Sequence, residues 1–422
     1  MTLNSGTKAT VRDLRRVNRA VVLRRLFEEG PVNRAALSQL TGLSSGSITN
    51  VTAELLGEGV VVEVGREESD GGRPRALLQV NPDFGVVIGV EVGETRTRVD
   101  AFDLGLSLVG TADVATHPQD REAVATLEQV AVAIEELRAQ LAGDGRRLLG
   151  VGVAVPGIVG HQGGQLRVHA PNIGWHDIAL QPLAQRLGVP LFADNGAKAL
   201  GQAEMWLGAG RGAGDAAVAL WGTGVGAAIF TGGTLYRGAT SSAGEWGHTA
   251  IVVGGKRCRC GASGCLEAYV GARAMLEEWY RTDRRASPLP DPDSEGWLDQ
   301  FIEAGRSDDR PAAALEQVAT YLGTAVANLV NLFNPELVVL SGWIGVKLGP
   351  FVLEKVRATV KSQALEYTSS RVRIEVGQLG GEAVALGASM LVVDGLLLSG
   401  RTPPARPSSK RARGPAGRKA AS

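Results

Sequence analysis

The sequence predicts a mixed α/β protein: a small helix-turn-helix unit with a β wing, then a larger α/β body in two related lobes. Three observations carry this. Apolar residues recur at helical spacing through three segments before residue 60, with a tight Thr41-Gly42 turn between the second and third. Two later segments repeat one strand, glycine hairpin, strand pattern. The three cysteines of the 422-residue chain lie together with a histidine, spaced H-x9-C-x-C-x4-C.

The N-terminal elements follow from spacing and caps. Leu14, Val17, Val21, Val22, Leu26 and Phe27 mark a first helix that ends near Gly30-Pro31. Asn33 caps a short second helix carrying Ala36, Leu37 and Leu40. Ser44 or Ser45 caps a third, with Ile48, Val51 and Leu55 on its buried stripe, ending at Gly57-Glu58-Gly59. Two helices joined by a short glycine turn are the helix-turn-helix signature. The exposed face of the third helix offers Ser45, Ser47, Thr49 and Asn50, small hydrogen-bonding side chains suited to phosphates and base edges in a major groove. A hairpin follows, Val60–Val64 and Ala76–Val80, with a tip at Arg66–Arg75. Its tip holds Gly71-Gly72-Arg73-Pro74-Arg75, and arginines on a flexible turn suit a narrow minor groove. A plain three-helix unit with a solvated hairpin fits the same pattern. The combination with seven basic against three acidic residues in positions 1–30 favours DNA.

The body reads as two similar halves. Val86–Leu104 is strand, hairpin and return strand, and Ala217–Phe230 repeats that plan. Further strands are expected at Leu149–Val155, Pro190–Ala193, Leu337–Leu340 and Val372–Glu375, and helices at Glu122–Ala142, Ala312–Phe333 and Glu382–Leu397. Duplicated units imply two lobes with a ligand cleft between them. Gly222-Thr223-Gly224-Val225-Gly226 has the glycine content of a phosphate cradle, but a tight strand turn explains it equally well.

His248, Cys258, Cys260 and Cys265 form a Cys3His set that closes a tetrahedral zinc site, leaving no open position for a catalytic water. A structural Zn²⁺ is therefore expected. Glu245 precedes the histidine by three residues and Glu267 follows the last cysteine by two. A rigid zinc knot would hold both carboxylates beside the cleft, ready to accept hydrogen bonds from hydroxyls.

Composition bounds the rest. A net charge of +0 and 44% hydrophobic residues suit a soluble globular protein. The first apolar cluster, Val21–Leu23, is cut by Arg24 and Arg25, so no secretory core is expected, and no apolar run approaches the ~20 residues of a membrane span. Clustered cysteines fit a reducing, cytoplasmic setting. Residues 401–422 hold seven basic and no acidic residues among Pro, Gly and Ser, a composition expected to be disordered. A solubilising end and an auxiliary attraction to nucleic acid both fit this tail. The expected domains are 1–82 for the winged helix-turn-helix, 83–399 for the two lobes (about 83–200 and 201–399), and 400–422 for the tail.

The GGRPR wing, the Glu245–His248 run EWGH, and CRCGASGCLE from Cys258 to Glu267 together resemble the ROK family (repressor, open reading frame, kinase), specifically its transcriptional regulators. The likeness runs from about Leu14 to Gly395. It implies a two-lobed actin-like, sugar-kinase-like (ribonuclease H-like) domain behind the winged helix. It implies zinc on the Cys3His set, and sugar contacts from Asn195, Glu245, His248 and Glu267, with the Pro171-Asn172 loop nearby. His248 would serve metal and sugar through one ring nitrogen each.

Three departures from the kinases of that family stand out. Where they carry an Asn-Asp pair whose Asp is the general base, this chain has Asn195-Gly196, and glycine cannot take a proton. Asp194 lies two residues earlier and points differently. Glu94 stands in the first phosphate loop, Glu91–Thr95, and Trp343 follows Ser341-Gly342 where adenosine would lie. No catalytic residue is expected. The resulting expectation is a cytoplasmic, sugar-responsive regulator, nucleoid-associated when bound. It would repress carbohydrate genes from double-stranded operator DNA as a homodimer or homotetramer. The alternative is an ATP-dependent sugar kinase with an added DNA-binding unit. A third reading replaces the sugar with a protein or phosphosugar effector.

Overall fold

The computed structural model describes residues 10–68, 74–115, 123–142, 145–280, 290–292, 296–305 and 309–398. Helix α1 (Val11–Glu29) starts at a reciprocal cap: Asp13 N donates to the Thr10 hydroxyl and Thr10 N donates back to the Asp13 carboxylate at 3.0 Å. After a two-residue strand β1 (Val32–Asn33) comes α2 (Arg34–Thr41), capped by the Asn33 side chain, which accepts from Ala36 N at 2.9 Å. Gly42, at φ 69°, ends it in the left-handed region. Helix α3 (Ser45–Glu58) is capped by Ser44. Strands β2 (Val61–Glu67) and β3 (Arg75–Val80) form the antiparallel wing, in a sheet of order β1-β3-β2. The first wing strand runs three residues beyond the expected Val64. A bulge between Glu63 and Gly65 lets pairing resume, so the polar residues that looked like the tip are still strand. Leu23, Leu26, Leu37, Ile48, Leu55 and Leu78 interlock as the core of this unit.

The body is built on two five-stranded sheets of one plan. The first contains β4 (Val86–Val92), β5 (Arg96–Asp103), β6 (Leu108–Ala115) and β7 (Leu148–Val155), with helix α4 (Ala123–Ala142) between the last two. A small side sheet, β8 (Ile158–Gln162), β9 (Gln165–Ala170) and β10 (Trp175–Ala179), and helix α5 (Gln181–Leu187) precede its last strand, β11 (Leu191–Asn195). Helix α6 (Gly196–Leu207) leads to the second sheet. That sheet holds β12 (Ala216–Trp221), β13 (Val225–Thr231), β14 (Thr234–Leu235), β15 (Leu337–Ser341) and β16 (Arg373–Val376). Between β14 and β15 lie α7 (Glu267–Val270), α8 (Ala272–Tyr280), α9 (Gly296–Ala304) and α10 (Asp309–Phe333); α11 (Gly342–Gln363) and α12 (Glu366–Ser369) precede β16. The strand orders, β11-β7-β4-β5-β6 and β16-β15-β12-β13-β14, superpose element for element. In each, three antiparallel strands continue into two parallel ones. The duplicated hairpins of the sequence are the first two strands of each sheet.

Helix α13 (Ala383–Val392) is apolar on every side and wholly buried except at Leu391, as a helix between layers must be. It lies on the first sheet, and three glycines set its closeness. A Cβ on Gly89 would sit 1.8 Å from the Ala385 carbonyl oxygen, and one on Gly152 1.8 Å from that of Ala388. One on Gly387 would sit 1.9 Å from the Ala199 oxygen of α6. The last helix of the expected second lobe, 201–399, thus packs on the sheet of the first. The chain continues as a π-helical turn, Val393–Leu398, against which α1 rests. The expected disordered tail lies outside the described residues, as does Arg73. No described helix is long and apolar enough to cross a membrane.

The winged-helix unit is docked rather than tethered. Trp206, near the end of α6 and 2% exposed, meets Phe27 of α1 with ring centroids 6.3 Å apart. The Arg24 guanidinium lies over the same indole at 5.1 Å. Arg211 donates to the Glu28 carbonyl oxygen at 2.8 Å and pairs with Glu29 at 3.4 Å.

Candidate effector and metal site

The metal loop is a compact knuckle. Backbone bonds from Cys258 N to Ala262 O and from Gly264 N to Lys256 O fold it back on itself. The ligand atoms of His248, Cys258, Cys260 and Cys265 all lie within 4.8 Å of one another. His248 Nδ1 is 3.7 Å from Cys258 Sγ, and Cys260 Sγ is 3.7 Å from Cys265 Sγ. A tetrahedral ion with metal–sulfur bonds of about 2.3 Å needs edges of about 3.8 Å, so these four groups fit a metal ion of zinc's size. Burial and the neighbouring thiols push Cys265 up to about 12. Metal uptake at neutral pH would therefore release its proton.

Between the lobes lies a cavity of about 630 Å³, and it gathers Asn172, Asn195, Glu245, His248 and Glu267. Asn195 is the last residue of β11 and caps α6. Its Oδ1 accepts from Ala197 N at 2.9 Å and its Nδ2 donates to Gly157 O at 2.9 Å, leaving one amide hydrogen for the cavity. Asn172 sits in a single 3-10 turn, Pro171–Ile173, and donates to Glu94 Oε1 at 3.3 Å. Glu245 opens the turn that carries His248. That turn is pinned by Trp246, whose indole N–H donates to Ala325 O at 3.2 Å. With Nδ1 turned to Cys258, His248 keeps Nε2 for other partners. Glu267 is buried at the start of α7 and accepts from Val225 N at 3.0 Å.

Several further residues shape the cavity. Gly196 also lines it, and a Cβ there would touch only Val155 O and Val384 Cγ1 at 3.8 Å. Asp194 is turned away into an ion pair with Arg237 at 2.6 Å, 4% exposed. Lys198 is buried behind the wall and donates to the Ser241 carbonyl. Burial lowers its pKa against the opposing pull of Asp194. The Trp343 indole lies on Gly222, where a Cβ would come within 2.9 Å of its Nε1. Spacing gave no hint of Lys198 or Arg237. Arg259 did leave a signal, a cation between two ligand cysteines, and it fills the cleft between Glu94 and Glu267. Burial pulls its pKa down, but the hydrogen bonds and charges of Glu94 and Glu267 outweigh that and raise it.

On the winged-helix unit, Ser45, Thr49, Asn50 and Arg75 are exposed and Ser47 is half-buried. Ser47 Oγ is engaged with Ser44 Oγ at 3.0 Å, and the Thr49 hydroxyl donates to Ser45 O at 2.8 Å. Among the described residues, the Asn50 and Ser45 side chains make no such bond.

A winged helix docked on a two-lobed body, with asparagine, glutamate and histidine side chains gathered in the interlobe cavity, has the architecture of a ligand-responsive DNA-binding regulator. Comparison with known proteins gives the family: the profile described as ROK family matches residues 87–394, and the chain belongs to that family. The xylose repressor of Caldicellulosiruptor bescii is 32% identical over 403 residues, covering 91% of this chain and 97% of that one. A glucokinase of Halalkalibacterium halodurans is 33% identical over 316 residues, 72% of this chain and 94% of that one. A solved ROK family transcriptional regulator, described as a homologue of the Escherichia coli MLC protein, has the same fold. Its TM-score is 0.74 at 24% identity, covering 92% of this chain and 98% of that one. The regulators thus align across nearly the whole chain, and the kinase across less of it.

Proposed function

We propose that this chain represses sugar uptake or catabolic genes, that a neutral sugar in the cleft sets its operator affinity, and that it does not phosphorylate that sugar. One observation carries the coupling. Asn195, in the cleft, caps helix α6, and Trp206, 11 residues along the same helix, is the surface on which α1 docks. A rigid helix of about 16 Å links the two ends. Sugar that draws the lobes together therefore moves the winged helix, provided it binds the two lobe arrangements with different affinity.

In this reading Asn172, Asn195, Glu245, His248 and Glu267 contact the sugar. His248, Cys258, Cys260 and Cys265 hold a structural zinc, which supplies rigidity to the loop that presents two of those contacts. Ser45, Ser47, Thr49 and Asn50 face the major groove, and Arg73 and Arg75 the minor groove, in a homodimer or homotetramer on a palindrome. Phosphoryl transfer is disfavoured on three counts. Gly196 offers no base, Glu94 puts a negative charge where phosphates pass, and Trp343 covers Gly222 of the second glycine turn.

The xylose repressors among the relatives favour a pentose effector. So does the missing carboxylate at Gly196, since a family kinase would offer a sugar hydroxyl a partner there. The test is binding to the chain's own upstream DNA by fluorescence anisotropy at fixed salt. D-xylose, D-glucose, N-acetylglucosamine and the hexose 6-phosphates would be titrated in turn. Release by xylose alone is the expected result. A response only to phosphosugars, or ATP-dependent sugar phosphorylation, would overturn this reading.

A further inference from the structure

Arg259 stands between two metal-ligand cysteines and reaches across the cleft. Its Nη1 donates to both oxygens of Glu94, at 2.6 and 2.5 Å, on the β4–β5 turn of the first lobe. Its Nη2 donates to Glu267 Oε1 at 3.0 Å in the second lobe. Both carboxylates are poorly hydrated, with side chains 11% and 9% exposed. Glu94 Oε1 also accepts from Asn172, so a contact residue of each lobe is tied to one guanidinium. Arg98, also at the cleft, is paired with Asp100 at 2.7 Å. Without Arg259, two nearly buried carboxylates would face each other across the cleft, and like charges in low dielectric drive apart.

We propose that Arg259 is a positioning residue through which the metal loop spans the cleft, fixing the separation of Asn172 and Glu267 and hence which effector the pocket accepts. This gives the metal a role beyond fixing Glu245 and Glu267. A knuckle holds its central residue in one place, and here that residue is a bidentate cation, which lysine cannot copy. The inference rests on the sugar-binding reading given above.

The test is a double-mutant cycle of Arg259→Ala and Glu94→Gln, read as sugar affinity by calorimetry. Zinc content is measured alongside, and hydrogen–deuterium exchange is followed in the 93–97 turn without sugar. Each single variant should lose about tenfold or more in affinity for the preferred sugar. The double variant should be no weaker than Arg259→Ala alone. Arg259→Lys should recover part of the loss, and the 93–97 turn should exchange faster in Arg259→Ala at unchanged zinc content. Losses that multiply in the double variant, or Arg259→Ala binding sugar as the wild type does, would overturn the proposal. If the wild type binds no sugar, the sugar reading fails by itself. The exchange then decides the clasp alone, and an unchanged 93–97 turn in Arg259→Ala overturns it.

Discussion

Replacing Trp206 with alanine should uncouple the two halves of the protein. The indole is 2% exposed and carries the Phe27 contact and the Arg24 cation–π contact. Truncating a fully buried Trp costs about 3–5 kcal/mol. About 0.5–1 kcal/mol of this is the contact with Arg24, which Arg24→Ala removes alone. Against a stability of about 5–15 kcal/mol the variant remains folded at 25 °C, and thermal unfolding followed by circular dichroism checks this. Regulatory coupling in proteins amounts to about 1–3 kcal/mol, a change in affinity of about 5- to 150-fold. If sugar acts through α6, the ratio of operator affinities with and without sugar should fall toward one in Trp206→Ala. It should fall part way in Arg24→Ala. Sugar affinity should change little, because Asn195 and the cleft lie at the other end of the helix. The assay is operator anisotropy with calorimetric sugar binding on the same preparations. A folded Trp206→Ala that keeps the wild-type sugar response would refute the α6 route.

Three further outcomes follow from the same geometry. Cys260→Ser should lose zinc, measured by atomic absorption, and with it sugar affinity by about tenfold or more, while operator binding persists because α3 shares no contact with the loop. Normal induction in the zinc-free variant would sink this. Gly196→Asp fits the space at the first position of α6, and exchanging glycine for an acidic residue at a helix N-terminus should stabilise by up to about 1 kcal/mol. Coupled-enzyme assays should still find no ATP turnover with sugar, since Glu94 and Trp343 remain, and measurable turnover would show that the base alone was missing. Asn50→Ala should weaken specific operator binding by about 1–3 kcal/mol. Thr49→Ala should do less, because its hydroxyl is already bonded to Ser45 O, and equal losses in the two would contradict that ranking.

The sequence made some parts of this molecule readable because their signals are local. Caps at Asn33 and Ser44 and the stop at Gly42 mark helix ends whatever surrounds them. The metal loop is equally local, its four ligands falling within 18 residues. Helix α6 was missed, although it starts at Gly196, the residue on which the kinase comparison turned. Its Lys198 and Glu204 are polar yet buried, and Gly196 and Gly201 are poor helix formers, so composition did not mark it as a helix. Helix α11 is broken in appearance by Gly345, Gly349 and Pro350, yet helical throughout. Its glycines face close neighbours: a Cβ on Gly349 would meet Val376 at 2.7 Å. The Arg259 bridge was out of reach for another reason. Glu267 is near in sequence, but its other partner, Glu94, lies 165 positions away, and Asn172, which donates to Glu94, lies 78 positions from that glutamate; only the folded chain brings them together.

A kinase scaffold suits regulation because the two tasks make different demands on the same cleft. Phosphoryl transfer needs a base, a clear phosphate path and a purine pocket together, and losing one cripples it. Regulation needs only that sugar prefer one arrangement of the lobes, and that the preference reach the winged helix. Here the substitutions fall on the first set of demands. In the proposed reading Gly196, Glu94 and Trp343 would each work against chemistry, and Glu94 is tied to the metal loop instead. The second set rests on close packing. Gly89, Gly152 and Gly387 bring α13 against the first sheet and against α6 with no room for another atom, so neither helix can shift independently. Both run from the cleft, where Asn195, Ala383 and Val384 lie, to α1, which rests on Trp206 and on residues 393–398. A displacement at the sugar would therefore have two parallel, nearly incompressible paths to the DNA-binding unit, and one of them, α6, begins at Gly196, where the kinases of the family would hold their base.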